Sequence, residues 1–512
     1  MSARIDLRDI VDRIRDRSAG NEVATYEQGR VARRSFAELG QAVRTTADRL
    51  RAAGVEPGMR VGIRAPNSYG WMVHELALIE LRAVSVAFTA DFADTPAEQL
   101  CSKYDLALML PAKLGADTAI PDTATGPVGA PDPEFERPGL IFSSGSAGGL
   151  KGMVLNRRGI EASVEAFAGA MLPRHDDRLL LFLPMSNFQQ RLMYYAALWY
   201  GFDLIVVEPV HLFRALKELS PTIVIAPPAF YEAIENRVAN LPVRARRLAR
   251  AAGKAAGLLP AAPLRRRARR AIFAKVHEAL GDNIRFMVTG MAPIKRGTLD
   301  LFQTMGLPLF ETYGLIESGS VALNVPGANR IGSVGRPLAG VQVALADDGE
   351  IIVRREHPIA VRYFECAEGE NERTFVDGAV ATGDIGRFDS DGFLYLVGRK
   401  KEVIVTGGGE KIHPAVIEAD IGACPDIACA VVIPRPSASD LAAVVVPRDP
   451  ADVQAAQRIH QFVDRLNAQW RNVSVGRVVL TDQPFSLENG FLRPNLKLDR
   501  TQISKHFAAE AE

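Results

Sequence analysis

Residues 139–156 have the sequence Gly-Leu-Ile-Phe-Ser-Ser-Gly-Ser-Ala-Gly-Gly-Leu-Lys-Gly-Met-Val-Leu-Asn. An apolar run from Gly139 to Phe142 is followed by serines and glycines, and a second apolar run follows Lys151 and Gly152. This pattern predicts a strand, a polar turn and a second strand. Glycines let the backbone bring its N–H groups close to a ligand, while serine hydroxyls and a lysine supply further donors. The turn is therefore suited to bind a phosphate group.

Two residues distinguish this turn from a Walker A loop. Leu150 precedes Lys151 where that motif requires glycine, and Gly152 follows where it requires serine or threonine. The spacing alone fits a flexible surface turn equally well. The choice between these interpretations depends on the rest of the chain.

Length and composition indicate a protein with more than one domain. The 512 residues exceed a typical single domain, and 47% hydrophobic with 24% charged residues is ordinary for a globular protein. A net charge of +1 gives no overall attraction to nucleic acid or membrane, and four cysteines predict neither a disulfide framework nor a zinc site. Because a signal-peptide core and an apolar run of about 20 residues are both missing, we expect a cytoplasmic protein without an integral membrane segment.

Strands and helices alternate along most of the chain, which predicts an α/β fold with mostly parallel sheets. The predicted helices cover residues 34–54, 67–82, 190–200, 212–219, 230–239 and a segment that ends at 305. The predicted strands cover residues 61–63, 83–88, 179–183, 204–207, 222–226 and 285–289. Residues 112–137, rich in Pro, Gly, Ala and Asp, predict an exposed connection into the phosphate-binding turn.

A change of composition near residue 398 predicts a domain boundary. We expect a large N-terminal domain over residues 1–398, a small α+β domain over 399–512, and a hinge near 399–402. The small domain is predicted to contain a short strand at 403–405, a helix from Pro414, a hairpin of 427–434 with 441–447, a helix from Asp452 and a strand at 474–480.

A strongly basic segment lies between Arg244 and Lys275. It contains no Asp or Glu, and its cations include Arg246, Arg247, Arg250, Lys254, Arg265, Arg266, Arg267, Arg269 and Arg270. Such a run is usually the solvated face of one or two surface helices. The alternative is a patch for acidic partners, such as the phosphates of coenzyme A or a membrane surface.

The stretch at 139–156 resembles the phosphate loop of the adenylate-forming enzymes, a superfamily that includes acyl-CoA ligases, adenylation domains of peptide synthetases and luciferases. Their pattern is Thr-Ser-Gly-Thr-Thr-Gly-x-Pro-Lys-Gly, from which this chain departs at Ala147 and Leu150. Six motifs occur in the family's order over residues 139–497, and the sequence of residues 183–191 is most similar to long-chain acyl-CoA ligases. The resemblance implies a large α/β domain, a small mobile domain, and the use of ATP, Mg²⁺ and coenzyme A.

The resemblance also implies a nucleotide site. Tyr313 would stack on adenine, and Glu317 would hold Mg²⁺ against the phosphates. Asp384 would accept the ribose hydroxyls, and Arg399 would reach ribose or phosphate. The residues assigned to the nucleotide are Ser143, Ser144, Gly145, Ser146, Lys151, Gly290, Ala292, Pro293, Tyr313, Gly314, Ile316, Asp384 and Arg399. Taken one at a time, these residues also fit a core tyrosine, a surface glutamate and an aspartate in a turn.

The remaining roles come from the C-terminal part and from the acyl pocket. By resemblance, Lys497 is the adenylation lysine, Lys401 lies at the hinge, and Gly407, Gly408 and Gly409 form the narrow tunnel for the pantetheine arm of coenzyme A. The expected catalytic residues are Lys497, Glu317 and Lys401. The expected acyl-pocket residues are Asn187, Phe188, Arg191 and Met291. Asn187 and Met291 replace the histidine and glycine usual in the family, so the acid is predicted only as bulky and apolar.

Two residues that differ from the family pattern would affect the adenylation step, in which ATP reacts. Ile316 replaces a threonine whose hydroxyl is expected to bond the α-phosphate, and Ala147 removes a second hydroxyl. A phosphate oxygen without its donor costs about 1–3 kcal/mol, which slows adenylation about tenfold or more. The sequence therefore predicts an acyl-CoA ligase with weak adenylation. A further hypothesis is that it acts mainly on acyl-adenylate supplied by a separate adenylating enzyme. The alternatives are an acyl-AMP ligase that loads a carrier protein and a non-catalytic protein that binds acyl-adenylate or coenzyme A.

Overall fold

The computed structural model describes residues 4–15, 20–121, 135–144, 150–239, 242–405, 411–435, 438, 440–470, 473–486, 488–492 and 498–512. The chain divides into two compact units. Unit 1 contains residues 1–294, 298–343 and 352–381, and unit 2 contains 295–297, 344–351 and 382–512. The boundary predicted near residue 398 is sixteen residues beyond Thr382, and it stays a prediction for the domain limits of the protein.

Helices are distributed along the whole described chain. They are α1 (Ile10–Arg15), α2 (Phe36–Ala52), α3 (Tyr69–Glu80), α4 (Ala97–Tyr104), α5 (Arg157–Met171), α6 (Phe188–Tyr200), α7 (Leu212–Leu219), α8 (Pro228–Ala239), α9 (Val243–Ala256), α10 (Ala262–Ile272), α11 (Ala274–Ala279), α12 (Arg296–Met305), α13 (Glu370–Thr374), α14 (Pro414–Gly422), α15 (Ala455–Asn467), α16 (Arg500–His506) and α17 (Ala508–Ala511). None of them, within the residues given above, is long and apolar enough to cross a bilayer.

Strands alternate with these helices. They are β1 (Glu22–Glu27), β2 (Arg30–Ser35), β3 (Arg60–Ile63), β4 (Val84–Ala87), β5 (Leu106–Met109), β6 (Gly139–Ser144), β7 (Leu150–Leu155), β8 (Arg178–Leu181), β9 (Asp203–Val206), β10 (Ile223–Ala226), β11 (Phe286–Thr289), β12 (Leu309–Leu315), β13 (Gly319–Leu323), β14 (Arg336–Pro337), β15 (Gln342–Leu345), β16 (Glu350–Arg354), β17 (Ala360–Tyr363), β18 (Phe375–Val376), β19 (Ala379–Phe388), β20 (Leu394–Arg399), β21 (Ile404–Val405), β22 (Lys411–Ile412), β23 (Ile427–Pro434), β24 (Leu441–Pro447) and β25 (Val475–Leu480).

Unit 1 is built on two large sheets. The first has nine strands in the order β14-β13-β12-β11-β10-β8-β9-β1-β2, and the second has six in the order β17-β7-β6-β4-β3-β5. The strands from β12 to β1 in the first sheet, and those from β6 to β5 in the second, are parallel, whereas the outer pairings are antiparallel. The predicted α/β fold with mostly parallel sheets is confirmed.

Local sequence explains why the helices begin and end where they do. The Ser35 side chain accepts from the Glu38 N–H and the Glu38 carboxylate accepts from the Ser35 N–H, a reciprocal cap at the start of α2. Gly201 ends α6 with φ of +76°, a conformation that glycine adopts without strain. Nearly every side chain of α3 and α6 is buried, as expected for helices that are apolar on all sides.

The hairpin of β1 and β2 was not predicted from the sequence. β1 pairs in parallel with β9, and β2 forms the antiparallel edge of the nine-stranded sheet. β2 has the sequence Arg-Val-Ala-Arg-Arg-Ser, which lacks the apolar alternation of a half-buried strand. Charged side chains are nevertheless common on edge strands, where they hinder pairing with other chains.

Unit 2 contains its own small sheet and core. β23 pairs antiparallel with β24, and β24 pairs in parallel with β25. Ile417 and Ile459 pack on one side of this sheet, whereas Ile503 and Phe507 pack on the other. The hairpin, the helix after it and the strand β25 occur in the order predicted for the C-terminal segment, whereas α16 and α17 were not predicted.

Candidate functional site

Residues 145–149 connect two strands of the six-stranded sheet. β6 and β7 pair antiparallel, and the last residue pair is Ser144 opposite Leu150. The chain therefore leaves β6 and enters β7 at the same end of the two strands. Ser143 and Ser144 lie in the last two positions of β6. Gly145, Ser146 and Ala147 lie outside the described residues. The two strands predicted on either side of this segment are therefore present.

Lys151 of β7 is held by two neighbours from later in the chain. Its ammonium group forms an ion pair with Glu370, the first residue of α13, and lies 4.8 Å from the centre of the Tyr363 ring. Both side chains of the ion pair are largely buried, at 20% and 17% exposed, so solvent screens their attraction less than it would at the surface. An anion that binds Lys151 must compete with Glu370.

Tyr363 also connects to the carboxylate predicted to hold Mg²⁺. Its hydroxyl donates to Glu317 Oε1 at 2.9 Å, and the N–H of Ala360, in the same strand, donates to the Glu317 carbonyl at 3.2 Å. Burial and the adjacent Glu317 carboxylate raise the pKa of Tyr363 well above its usual value, so the hydroxyl stays protonated and donates. Tyr363 and Glu370 were not singled out from the sequence.

The two motifs predicted to bind adenine lie at the ends of two neighbouring parallel strands. β11 pairs with β12, and Gly290 follows β11 directly while Tyr313 and Gly314 lie near the end of β12. The carboxyl ends of parallel strands are where open α/β sheets bind ligands. A Cβ atom on Gly290 would lie 2.8 Å from the Thr312 side chain, so this close approach requires glycine. Tyr313 is buried, and Ile316 is partly buried in the turn before β13.

Met291 adopts a backbone conformation that favours glycine. Its φ is +71°, in the left-handed region, and its side chain is 38% exposed. For a residue with a long side chain this conformation costs about 1 kcal/mol or more. The neighbouring Ala292 and Pro293 are exposed. The strain therefore lies within the motif predicted to contact adenine.

Glu311 is a largely buried acid at the start of the tyrosine motif. Its carboxylate accepts from the Gly332 N–H at 3.0 Å, and it borders a cavity of about 70 Å³ together with Gln303 and Asn329. Burial raises the pKa of Glu311 to about 7, and the single backbone hydrogen bond offsets only part of that rise. Glu311 thus changes charge near neutral pH, immediately beside the predicted adenine site.

In unit 2, the predicted ribose ligand already has a cationic partner. Arg399 Nε lies 2.6 Å from Asp384 Oδ1, across the antiparallel pairing of β19 with β20. The Asp384 N–H donates to Thr382 Oγ1 at 3.1 Å, which fixes the bend of the Thr-Gly-Asp segment. Lys401 is exposed in a single 3-10 turn after β20. The structure therefore pairs two of the predicted nucleotide-binding residues directly with each other.

Three of the four residues assigned to the acyl pocket lie at the start of α6, whereas Met291 follows β11. Asn187 is the N-cap, and its side chain accepts from the Gln189 N–H at 3.2 Å. Asparagine is among the best residues at this position, so the residue that replaces the family's histidine has a clear structural role. Phe188 and Arg191 are each 1% exposed. Their assignment to an acyl pocket stays a prediction.

Arg191 belongs to a buried polar cluster with Glu75 of α3. Its Nη1 donates to Ser85 Oγ at 3.2 Å and lies 3.8 Å from the Glu75 carboxylate, which also accepts from the hydroxyls of Tyr194 and Tyr195. Burial raises the pKa of Glu75 to about 7, and the Arg191 charge opposes that rise. Removing either side chain would leave the other buried without its partner.

The described residues fit a magnesium ion bound mainly through phosphates. Among them, no group of three or more His, Cys, Asp or Glu side chains could hold a metal ion. Mg²⁺ commonly uses one or two carboxylates together with water and substrate phosphates, so it does not need such a cluster. The Glu317 carboxylate uses Oε1 for Tyr363, and no described residue bonds Oε2. Glu317 would supply the one protein ligand that this arrangement requires.

Several predicted residues lie outside the part of the chain that the structure describes. Besides Gly145 and Ser146, these are Lys497 and the glycines Gly407, Gly408 and Gly409. The backbone on both sides of 493–497 is bridged, because Leu492 pairs with Leu498 and the Asp499 N–H donates to the Phe491 carbonyl at 2.8 Å. The roles of these residues stay predictions.

Comparison with known proteins agrees with the motif analysis. The sequence model of the family described as AMP-binding enzyme matches residues 13–358. The long-chain-fatty-acid–CoA ligase FadD15 of Mycobacterium bovis is 28% identical over 551 aligned positions, covering 93% of this chain and 91% of that protein. The predicted resemblance to adenylate-forming enzymes of the long-chain acyl-CoA ligase type is confirmed.

Solved structures of related enzymes share the fold. The anthranilate CoA ligase AuaEII, in complex with anthranoyl-AMP, superimposes with a TM-score of 0.75 and 17% identity, covering 100% of this chain and 99% of that one. The o-succinylbenzoate CoA synthetase of Bacillus subtilis, in complex with ATP and a magnesium ion, has a TM-score of 0.71 and 19% identity, covering 97% and 99% of the two chains. At these identities the likeness establishes the fold alone.

The positive φ at Met291 leads to a prediction about stability. Met291→Gly and Met291→Ala both remove the side chain, but only glycine relieves the left-handed backbone. We expect the glycine variant to be more stable than the alanine variant by about 1 kcal/mol, measured as the free energy of unfolding in urea. Equal stability of the two variants would contradict the strain.

The raised pKa of Glu311 predicts a pH-dependent stability. The carboxyl of the unfolded chain ionises near its usual pKa of 4.5, whereas burial raises the pKa in the folded protein to about 7. Folding therefore disfavours the charged form, and stability falls as pH rises through this window. Glu311→Gln removes that dependence. Between pH 5 and 8 the native protein should lose about 2 kcal/mol relative to this variant. Urea unfolding of both proteins at the two pH values measures the difference, and parallel pH profiles would show that Glu311 ionises normally.

Proposed function

Because the chain belongs to the family of AMP-binding enzymes, we propose that it is an acyl-CoA ligase that acts on a bulky apolar carboxylate. The observation that carries this proposal is the contact of Lys151 and Glu317 with the same residue, Tyr363. The Lys151 ammonium lies over the Tyr363 ring, and the Glu317 carboxylate accepts from the hydroxyl of the same side chain. Such a pair is suited to hold a phosphate chain and its counterion.

The proposed reaction has two steps. In the first, a carboxylate oxygen of the acid attacks the α-phosphorus of ATP, and pyrophosphate leaves to give acyl-adenylate. In the second, the sulfur of coenzyme A attacks the acyl carbonyl, the thiol proton is released, and AMP leaves. Mg²⁺, when bound, would neutralise charge on the phosphates. Lys151 would leave Glu370 to bind phosphate oxygens, while Tyr363 holds the Glu317 carboxylate in a fixed orientation.

The relatives support both the cofactors and the class of acid. FadD15 is named for long-chain fatty acids and coenzyme A, and the solved neighbours contain acyl-adenylate or ATP with magnesium. We extend these properties to this chain as part of the proposal. The replacement of glycine by Met291 adds bulk beside the adenine motif, so the length and branching of the preferred acid are expected to differ from those of FadD15.

Within this function we propose that the adenylation half is weak. Ile316 stands between Tyr313 and Glu317, where the family's threonine would donate a hydroxyl to the α-phosphate. Isoleucine has no donor, and losing one hydrogen bond to a charged group costs about 1.5–3 kcal/mol. The second step does not build charge on the α-phosphate in the same way, so it should be less affected. Lys497, Lys401 and Gly407–Gly409 keep their predicted roles in catalysis, hinge motion and coenzyme A binding.

The experiment compares ATP–pyrophosphate exchange by the native protein with that of Ile316→Thr and Ile316→Val, over a panel of long-chain and bulky acids. Threonine and valine have nearly the same shape, so the pair isolates the hydroxyl. We expect the threonine variant to exchange about tenfold to a hundredfold faster than both the native protein and the valine variant.

A second assay supplies synthetic acyl-adenylate and coenzyme A to the native protein. Thioester formation is expected, with a rate little changed by Ile316→Thr. Fast exchange by the native protein would overturn weak adenylation but leave the ligase function intact. If acyl-adenylate and coenzyme A gave no thioester, and every variant were silent in exchange, the ligase proposal itself would be wrong.

A further inference from the structure

Arg355 is a buried arginine that the proposed reaction does not use. It follows β16 and is 8% exposed, whereas the preceding Arg354 is exposed and donates to the Asp377 carbonyl at 2.6 Å. Burial alternates along this strand, so one arginine of the pair faces solvent and the other faces the interior of unit 1. Burial lowers the pKa of Arg355 to about 10, which leaves the guanidinium protonated at neutral pH.

The guanidinium of Arg355 connects three elements of unit 1. Its Nη1 donates to the Ser163 hydroxyl of α5, and its Nη2 donates to the Ser320 carbonyl of β13. Its Nε is buried and has no hydrogen-bond partner among the described residues. No acidic side chain in the described part of the chain forms an ion pair with it, and burial is the cause of its lowered pKa. The positive charge is therefore enclosed without a counter-charge from these residues.

The chain that follows Arg355 also holds the turn that carries Glu317. We call residues 316–320, which connect β12 to β13, the Glu317 turn. Arg355 donates to the carbonyl of its last residue. The Ala360 N–H donates to the Glu317 carbonyl at 3.2 Å, and the Tyr363 hydroxyl donates to its carboxylate at 2.9 Å. One continuous segment therefore fixes the Glu317 turn at three points, and the buried guanidinium is the first of them.

Close packing fixes the guanidinium relative to the Glu317 turn. A Cβ atom on Gly319, within the turn, would lie 2.4 Å from Ser163 Oγ, the atom that accepts from the guanidinium. A Cβ atom on Gly159 of α5 would lie 2.1 Å from the Pro358 carbonyl oxygen. Because the backbones approach this closely at both glycines, the turn, α5 and the segment after Arg355 are packed tightly together.

The charge of Arg355 is not explained by its hydrogen bonds. The contacts with Ser163 and Ser320 need N–H donors, which a neutral side chain such as glutamine also has. A buried cation costs free energy unless an anion accompanies it. The anions proposed for this site are the nucleotide phosphates, which would bind beside Glu317. A cation need not touch them to attract them, because charges separated by protein interact more strongly than charges separated by water.

We propose that Arg355 is a positioning residue for nucleotide binding, which holds the Glu317 turn in place and attracts the nucleotide phosphates with its buried charge. This inference rests on the proposed function, because it requires that the nucleotide binds beside Glu317. It is separate from the effect of Ile316, which concerns one hydrogen bond in the adenylation step. Arg355 acts on the affinity for phosphate, so its effect is measurable with AMP, in the absence of any reaction.

The test compares the dissociation constants of AMP and adenosine for the native protein and two variants, by calorimetry. Arg355→Met removes the charge and the donors, whereas Arg355→Lys keeps the charge without the planar guanidinium. We expect Arg355→Met to bind AMP about tenfold more weakly than the native protein, since one charge acting through the protein contributes a factor of this order. At about pH 6.5, where a buried lysine is charged, Arg355→Lys should restore most of that affinity. Adenosine has no phosphate and should bind to all three proteins alike.

A pH profile of the lysine variant separates the charge from the packing. Burial lowers the pKa of a lysine, so Arg355→Lys should lose AMP affinity between about pH 7 and 10 relative to the native protein. Glu317 and Tyr363 are present in both proteins, so their own titration cancels in this comparison. The matched control is Arg354→Met, which removes the adjacent arginine. Its charge is exposed and screened by solvent, so AMP affinity should stay as in the native protein.

Three results would overturn the role of Arg355. They are equal AMP affinity of the native protein and Arg355→Met, an equal loss in the lysine and methionine variants at every pH, and an equal loss of AMP and adenosine binding. The last two would leave Arg355 a structural residue. If the native protein bound neither AMP nor ATP, the proposed function itself would fail. Urea unfolding checks each variant, and the pH profile of Arg355→Lys decides the question if Arg355→Met does not fold.

Discussion

The two large sheets of unit 1 meet at Tyr363, and the candidate site depends on that meeting. Tyr363 ends β17 at the edge of the six-stranded sheet, whereas Glu317 follows β12 of the nine-stranded sheet. Arg355 strengthens the same junction, because its guanidinium donates to the Ser320 carbonyl and to the Ser163 hydroxyl. A phosphate site formed between two sheets needs their relative position to be fixed, and these contacts fix it with directional bonds from buried groups.

Buried charge is the second feature that shapes unit 1. Arg191 and Glu75 lie in the interior between α6 and α3, and the Nε and Nη2 atoms of Arg191 have no hydrogen-bond partner among the described residues. Replacing such a pair with apolar residues often stabilises a protein, so its presence is not explained by stability alone. The Arg191 guanidinium also lies over two aromatic rings, 5.0 Å from the centre of Phe188 and 5.7 Å from that of Trp71, and these contacts partly compensate for the missing hydrogen bonds.

Much of this fold could be predicted because its signals are local. The apolar runs of β6 and β7, the cap at Ser35 and the glycine that ends α6 are each visible within a few residues. The residues of the candidate site could be predicted only in part. Tyr363 contacts a residue 46 positions away and Glu370 one 219 positions away, so nothing in their local sequence marks them. The β1–β2 hairpin was missed because its arginine-rich edge strand carries no apolar alternation, and the strain at Met291 appears only once its φ is known.

In the ion pair of Lys151 with Glu370, a carboxylate of the protein itself competes with any anion that could bind the lysine. A tethered carboxylate acts at an effective concentration set by the fold rather than by the solution, and such concentrations are commonly in the millimolar range or above. Singly charged anions such as acetate would have to exceed that concentration to capture the lysine. A triphosphate gains contacts to several donors at once and can displace the carboxylate at much lower concentration. If Lys151 binds phosphate as we propose, its pairing with Glu370 favours polyvalent anions over small, singly charged ones.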